Sequence, residues 1–421
     1  MNNDFFKLFK EFFELRLTDL VLEYTDEKIN LMNTHSSNLS KRGLFIRLLS
    51  FIKKAIFNSS FYFPSSKEEK ILVACNSLNE YEASSFLKES EEIDTVFIGS
   101  YPNKHNFISY LVGFLLLPVL LIKILKEKNK TLNLSLPYTL DQLMISSGIY
   151  FTYRSLFHKK VKALVISNHL SPETIVSMQL AKRNGIEIVY LQHSQLVSKY
   201  PPIESDYFLL SGKDSLRKLK NINKNIDESK ICLTGCPKLD KLEIKNKNSL
   251  KNISICINPG ANFEKVKGLI LLLKKNFNAS LISIRPHPSI RKKYLKSYKD
   301  LNIENLFLIS PKEESLKKFL ERSDIVISDD SGIYYEAGYV GNISLSFRMS
   351  ERSSDWYDLK GAENHKILNS PNELIEEIKM TVDNKLNKRS GFKIFFENIG
   401  TDKEGKSSDL AIDFLSEENL I

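Results

Sequence analysis

The sequence runs to 421 residues, long enough for two domains that each bury a core of their own. Hydrophobic residues at 42% and charged residues at 26% exclude wholesale disorder. Lys and Arg number 60 against 51 Asp and Glu, a formal charge of +9 that suits anionic partners, yet no basic run interleaved with aromatics is present, which argues against a nucleic-acid binder.

Residues 1–65 read as helices, broken by the polar run NTHSSNLSK at 33–41. No early apolar core is followed by a small-residue cleavage site, so a secretory signal is not expected. From Gly43 to Phe57 the pattern is that of a basic amphipathic helix: Leu44, Leu48, Phe51, Ile52 and Ala55 recur at helical spacing, while Arg47, Lys53 and Lys54 lie off the stripe. Such a helix suits an anionic membrane surface or packing on its own domain. The apolar stretch from Ile108 to Ile122 is short of the roughly 20 residues that span a bilayer. A buried or interfacial helix is expected there, kinked at Pro118.

From residue 66 onward, short β-branched runs alternate with helical stretches. ILVAC (71–75), DTVFIG (94–99), ALVIS (163–167) and IEIVYL (186–191) form a first βα series over residues 66–205. After the turn-prone Pro201-Pro202 a second series occupies 206–385: YFLLS (207–211), ICLTG (231–235), ISICIN (253–258), SLISIRP (280–286), LFLIS (306–310), DIVISDD (324–330) and NISLSF (342–347). Residues 386–421 form a helical tail. The expected fold class is α/β, with two Rossmann-like domains whose parallel sheets face an interdomain cleft lined by strand carboxyl ends. Cys75, Cys232, Cys236 and Cys256 are few for the length, three of them lie in or beside apolar runs, and they fit a reducing cytoplasm. Cys232 and Cys236 lack a second ligand pair nearby, so no metal site is expected.

Chemistry is therefore sought in the loops after the strands. ISDDSGIYYEAG (327–338) is a strand end running into a helix, where the amides at Ser331, Gly332 and Ile333 can hold an anion and Glu336, one turn on, can accept ribose hydroxyls. SIRPHPS (283–289) places Arg285 and His287 two residues apart, on one side of an extended backbone stiffened by two prolines. A rigid imidazole beside a guanidinium stabilises a departing nucleoside phosphate. In the first series, His169 and Glu173 (VISNHLSPET) and His193 (YLQHSQ) follow strands, and any of the three can take a proton from a hydroxyl. Asn76, Asn79 and Glu80 (CNSLNEYEA) can bind sugar hydroxyls. Neither a dinucleotide fingerprint nor a Walker loop is present, and no Asp-x-Asp metal motif stands at a strand end.

The order LQHS (191–194), TGCPKLD (234–240), RPHP (285–288) and SDDSGIYYEAG (328–338) resembles the GT-B glycosyltransferase superfamily over roughly residues 70–350. Within it the sequence is similar to bacterial surface-polysaccharide transferases, including capsule sialyl- and Kdo-type transferases and teichoic-acid polyol-phosphate transferases. The resemblance implies an N-terminal acceptor domain and a C-terminal nucleotide-donor domain. It implies that His287, Ser328 and Ser331 bind the donor's phosphates, and that His193 corresponds to a His-Gly pair whose glycine is here Ser194. The implied reaction is metal-independent transfer from a CMP-, CDP- or UDP-linked nucleotide-sugar to a capsule or lipopolysaccharide glycan acceptor, at the cytoplasmic face of the membrane. An alternative is polyol-phosphate transfer from a CDP-polyol, with His193 and His287 both acting on a phosphoryl group. SDDSGIYYEAG through RMSER is also similar to UDP-N-acetylglucosamine 2-epimerases; Glu351-Arg352 is kept, but INPGANFEK (257–265) replaces a run that carries arginine and glutamate there. The non-enzymatic alternative is a basic, membrane-associated binding protein.

Overall fold

The β-branched runs fold into two six-stranded sheets, parallel throughout, because each strand is followed by a connection long enough to cross back over the sheet. A computed structural model describes residues 10–15, 20, 43–61, 70–91, 93–127, 130–158, 160–198, 200–240, 242, 251–288, 290, 292–329, 331–350, 367–383, 393–401 and 405–421. The polar run at 33–41, Asp330, Ser289 and the pair at 351–352 lie outside these residues.

The first half contains α1 (Leu44–Phe57), β1 (Ser59–Ser60), β2 (Lys70–Ala74), α2 (Leu78–Glu89), β3 (Thr95–Ile98), β4 (His105–Asn106), α3 (Phe107–Leu115), α4 (Leu117–Glu127) and α5 (Lys130–Tyr153). It continues with β5 (Val161–Ile166), α6 (Pro172–Asn184), β6 (Glu187–Leu191), β7 (Tyr207–Leu210), α7 (Lys213–Ile222) and β8 (Ile231–Leu233). Its sheet runs β3-β2-β5-β6-β7-β8. Successive residues alternate between faces. Leu72, Leu164, Ile166 and Ile188 enter one core, beneath α5 and α6, while Val73, Val165, Val189 and Leu209 enter the other, with Phe86 and Leu87 of α2. Helix α6 shows why the sequence folds locally as it does. Ser171 caps it by accepting the Thr174 N–H at 3.3 Å, Pro172 opens it, and Gly185 at φ +65° closes it.

The second half contains β9 (Asn252–Ile257), α8 (Phe263–Asn276), β10 (Leu281–Pro286), α9 (Lys292–Lys299), β11 (Leu306–Leu308), α10 (Leu316–Arg322), β12 (Ile325–Ser328), α11 (Ile333–Tyr339), β13 (Ile343–Phe347), β14 (Ile367–Leu368) and α12 (Pro371–Asp383). Its order, β11-β10-β9-β12-β13-β14, is the doubly wound arrangement 3-2-1-4-5-6. Ile253, Ile255, Ile282, Ile284, Ile325 and Ile327 form one core with α8 and α12; Cys256 and Val326 face Phe319, Tyr334 and Tyr335 on the other side. Helices α13 (Lys393–Ile399) and α14 (Ser407–Glu417) complete the chain.

Several sequence expectations change. The strands at 207–210 and 231–233 were assigned to the second series, with a boundary at 205/206, but β7 pairs with β6 and β8 with β7, so the first sheet extends to Leu233. Pro201-Pro202 stiffens a loop inside the first half rather than marking a linker between halves. The C-terminal helix is not a separate tail: Ala411 and Leu415 of α14 join the first sheet's core, and Asp240 caps that helix by accepting the Ser407 and Ser408 amides at 3.0 and 2.6 Å. Within α1, Phe51 points inward as expected, but Arg47 is buried, 3.3 Å from Asp141 of α5. The expected kink near Pro118 is a break at Leu116, where α3 and α4 meet at 53°.

Candidate functional site

The second sheet reverses its winding between β9 and β12, and open α/β sheets bind ligands outside the strand carboxyl ends at such a point. A cleft open to solvent lies there against the carboxyl edge of the first sheet. The first half lines it with Asn79 and Glu82 of α2, His193 and Ser194 after β6, and Lys238 in the 3-10 turn Pro237–Leu239. The second half contributes Asn258, the segment from Arg285 to Pro288, the helix entrance from Ser331 to Ile333, and Glu336.

Each charged group is held. Arg285 donates from Nη1 to the Glu314 carbonyl at 3.0 Å, and its guanidinium lies 4.8 Å from the Phe319 ring centroid, so the fork is fixed in direction. His287 donates its backbone N–H to the Ile257 carbonyl at 2.9 Å, which continues the β10–β9 ladder past Pro286. Its ring opens onto solvent at the lip, and desolvation lowers its pKa, favouring the neutral imidazole. Lys238 and Glu336 form a buried ion pair across the two halves, and Lys238 also lies 3.5 Å from the His193 carbonyl. Burial alone would depress the Lys238 pKa; Glu336 outweighs it and keeps the ammonium charged. Glu82 faces Lys238, Glu336 and Arg285, and burial raises its pKa. Burial also pushes the Cys256 thiol up to about 12, so that side chain is no nucleophile at neutral pH.

His193 is the first-half group best poised for proton transfer. Its Nδ1–H donates to the Ser167 carbonyl at 2.6 Å, which fixes the tautomer and leaves the lone pair on Nε2. Burial, with Lys238 nearby, lowers its pKa from 6.5 to about 4, so the ring is neutral at pH 7. Among the described residues no three metal-ligating side chains come together.

No protein-family model matches the sequence, and no curated protein matches it either. Solved structures do. The chain is similar to the UDP-GlcNAc 2-epimerase from Neisseria meningitidis bound to UDP-GlcNAc, with 17% identity, 83% of this chain and 100% of that one covered, and a TM-score of 0.53. It is similar to S. aureus MnaA in complex with UDP, with 14% identity, coverage of 84% and 98%, and a TM-score of 0.51. It is also similar to the wall teichoic acid polymerase TagF soaked with CDPG, with 13% identity, coverage of 89% and 97%, and a TM-score of 0.51. The fold is GT-B.

Of the nine residues read as proton acceptors or as phosphate- and ribose-binding groups, the GT-B cleft brings together six: His193, Arg285, His287, Ser331, Gly332 and Glu336; Asn79 lines it as well. Glu336 lines it, but in an ion pair with Lys238 rather than with an open carboxylate. The other three lie elsewhere. Glu173 is buried at the first turn of α6 with His105 Nε2 2.8 Å from its Oε1, and although burial pushes its pKa upward, His105 outweighs that and holds it below the usual value. His169 is buried between Tyr190 and Tyr200, and its Nε2 has no partner. Ser328 is fully buried at the end of β12, its hydroxyl also unpartnered. Asn76 and Glu80 are structural: Asn76 donates from Nδ2 to Ser171 Oγ at 2.9 Å, and Glu80 accepts the Asn76 N–H at 2.9 Å. Two GT-B cleft residues escaped the sequence reading. Glu82 lies three residues after Asn79, on the same helical face, and that spacing was a usable signal. Lys238 stands inside TGCPKLD, where nothing local distinguishes it from the other basic residues.

Helix α11 has seven residues, and no side chain caps its Gly332 start. An added Cβ at Gly332 meets nothing within 4 Å, and its φ of −57° suits any residue. Gly332→Val is therefore expected to leave the melting temperature nearly unchanged and to weaken nucleoside diphosphate binding by about tenfold or more, read by calorimetric titration. Unchanged affinity would mean that the helix entrance binds no nucleotide.

His169 and His193 both fall from 6.5 to about 4 on folding, chiefly through burial. The unfolded chain binds protons that the folded chain refuses, so this stabilisation is whole above about pH 6.5 and is lost as pH falls toward 4, each ring being worth about 3 kcal/mol at most. His169→Phe should flatten the fall in melting temperature between pH 6.5 and 4 and keep turnover within about twofold. A large loss of turnover would return His169 to the list of proton acceptors.

Proposed function

We propose that the chain is a glycosyltransferase that moves a sugar from a nucleotide-sugar donor to a bacterial surface-glycan acceptor. The observation that carries this reading is a single cleft lined by His193, whose Nε2 keeps the lone pair, together with the segment from Arg285 to His287 and the Ser331-Gly332 helix entrance. His193 Nε2 takes the proton of an acceptor hydroxyl, whose oxygen attacks the anomeric carbon of the donor sugar. The bond from that carbon to the nucleotide phosphate breaks, and its electrons leave with the phosphate. Arg285, His287 and the amides of Gly332 and Ile333 meet that charge with donors fixed before the reaction begins. Glu82, opposite Arg285, is placed to accept hydroxyls of donor or acceptor. The solved relatives that carry UDP-GlcNAc, UDP and CDPG make a nucleotide-linked donor the natural class to test. The epimerase reading lacks support in the loop after β9, where the cleft is lined by Asn258 and not by arginine or glutamate.

A second reading, polyol-phosphate transfer from a CDP-polyol, is favoured by the presence of both His193 and His287 on the one cleft. The two differ in product. A panel of CMP-, CDP-, UDP- and GDP-linked donors, screened by thermal shift, should yield one that stabilises by about 2.7 kcal/mol at 100 times its Kd. With that donor and a glycan acceptor, glycosyl transfer gives a glycoside and the second reading gives a phosphodiester. A panel in which no nucleotide stabilises the chain would remove both.

A further inference from the structure

Exposed apolar surface is concentrated on one part of the chain. Of the 19 large hydrophobic side chains exposed among the described residues, 14 lie between Phe45 and Leu125, on α1, α3, α4 and at Phe61. Isolated apolar residues on a surface are ordinary, but a contiguous patch of this extent marks an interaction site. Helix α1 is apolar on both faces: Phe51 is buried, while Phe45, Leu49 and Ile56 on the opposite side reach solvent. The helices that carry it adjoin one another: the buried Phe51 of α1 meets the buried Tyr110 of α3 with ring centroids 5.3 Å apart, and the exposed Phe61 meets Phe107 at the start of α3 at 5.3 Å.

The inner side of this layer is firmly seated. A Cβ at Gly148 of α5 would fall 1.7 Å from the Ser109 carbonyl, and one at Gly113 of α3 would fall 2.2 Å from the Met144 carbonyl, so the α3 and α5 backbones are in direct contact. The outward face is therefore left uncovered by a well-packed element, not by a loose one. No single described helix is long and apolar enough to cross a bilayer; α3 and α4 pass on length and composition only as a pair bent by 53°.

Charge identifies the occupant. Helices α1, α3 and α4 hold five basic residues against one acid, Glu127; Arg47 and Lys54 are paired with Asp141 of α5, and Lys123 is buried against the Phe13 and Leu15 carbonyls. Lys53 and Lys126, with the neighbouring Lys104, reach solvent around the apolar face. A second copy of the chain, docked through the same face about a two-fold axis, would set these cations against one another. Anionic headgroups meet them with opposite charge while the apolar side chains enter the acyl boundary.

We propose that the face formed by α1, α3 and α4 docks the first half of the chain on an anionic lipid bilayer, with the helices lying in the interface. Asn106 caps helix α3 and follows His105, which pairs with Glu173 at the carboxyl edge of the first sheet. The docking face thus adjoins the edge that carries the cleft, and an acceptor anchored in lipid would be presented beside it.

The proposal is independent of the cleft's chemistry and is tested without turnover. The full chain is floated on a density gradient with vesicles of phosphatidylcholine containing about one-third phosphatidylglycerol, and with phosphatidylcholine alone. About tenfold greater partition into the anionic vesicles is expected. Ile56→Glu combined with Leu115→Glu, at positions 64% and 66% exposed, should reduce that partition by roughly tenfold or more and leave the melting temperature unchanged. The proposal is overturned if the chain stays in the dense fraction, if it partitions equally into both vesicle types, or if the double variant floats as well as the parent. It is equally overturned if the lipid-free chain is a dimer that the double variant dissociates.

Discussion

Replacing His193 by alanine is expected to lower turnover by about two to four orders of magnitude while nucleotide affinity stays within about threefold. The expectation follows from what holds the ring. Because the Ser167 carbonyl takes the Nδ1–H at 2.6 Å, the proton acceptor is Nε2 at every pH where the ring is neutral. With a pKa near 4 the free enzyme's ring is almost fully available at pH 7, though as a weak base. A bound donor brings phosphate charge into the cleft and offsets Lys238, which raises the ring's proton affinity in the complex. The acid limb of kcat/KM, which reports the free enzyme, should accordingly lie near pH 4, and the limb of kcat above it. An alanine variant that retains turnover within tenfold would transfer the base to another group, and Glu82 would be the first to test.

The second large effect is on stability. Lys238→Ala or Glu336→Gln is expected to cost about 3–5 kcal/mol, measured by urea denaturation, because each leaves its partner as a buried charge without its counter-ion. Lys238 sits in the turn that follows the last strand of the first sheet, whereas Glu336 is on α11 of the second half, so the pair also ties the halves together at the cleft. Lys238→Met with Glu336→Leu, which removes both charges, should recover most of the loss, since well-packed apolar replacements of a buried pair are often neutral. A single substitution that costs under 1 kcal/mol would mean that water reaches the pair and that the two halves do not depend on it.

The strands were legible in the sequence because a parallel sheet buried on both faces demands short, unbroken runs such as ILVAC and ISICIN. Which sheet a strand joins was not, since the runs at 207–210 and 231–233 are apolar in the same way as those of the second half, and the only punctuation between them and β6 was a proline pair in a loop. The second-half wall of the cleft was legible for a local reason: Arg285 with His287, and Ser331 with Gly332, are each set by one strand end. Which first-half candidate reaches the cleft was not. Three groups followed strands in the first half, and what separates them is tertiary: Glu173 meets His105, His169 enters a cage of tyrosines, and His193 reaches the cleft. Ser328 was misassigned by one step of strand alternation, which turns its hydroxyl into the core while Ser331 remains outside. Helix α1 was read as having a single apolar stripe; its second apolar face became visible only once Phe51 was seen to point inward.

The central claim is that His193 and the second-half phosphate segments belong to one nucleotide pocket. Its most direct test follows the imidazole resonances of the seven histidines by NMR during titration with the nucleoside diphosphate that stabilises the chain, with signals assigned by single substitution. The account predicts that His193 and His287 shift together along one saturation curve, while His105 and His169 do not move. A curve in which His287 shifts and His193 stays fixed, or in which neither responds, would contradict it.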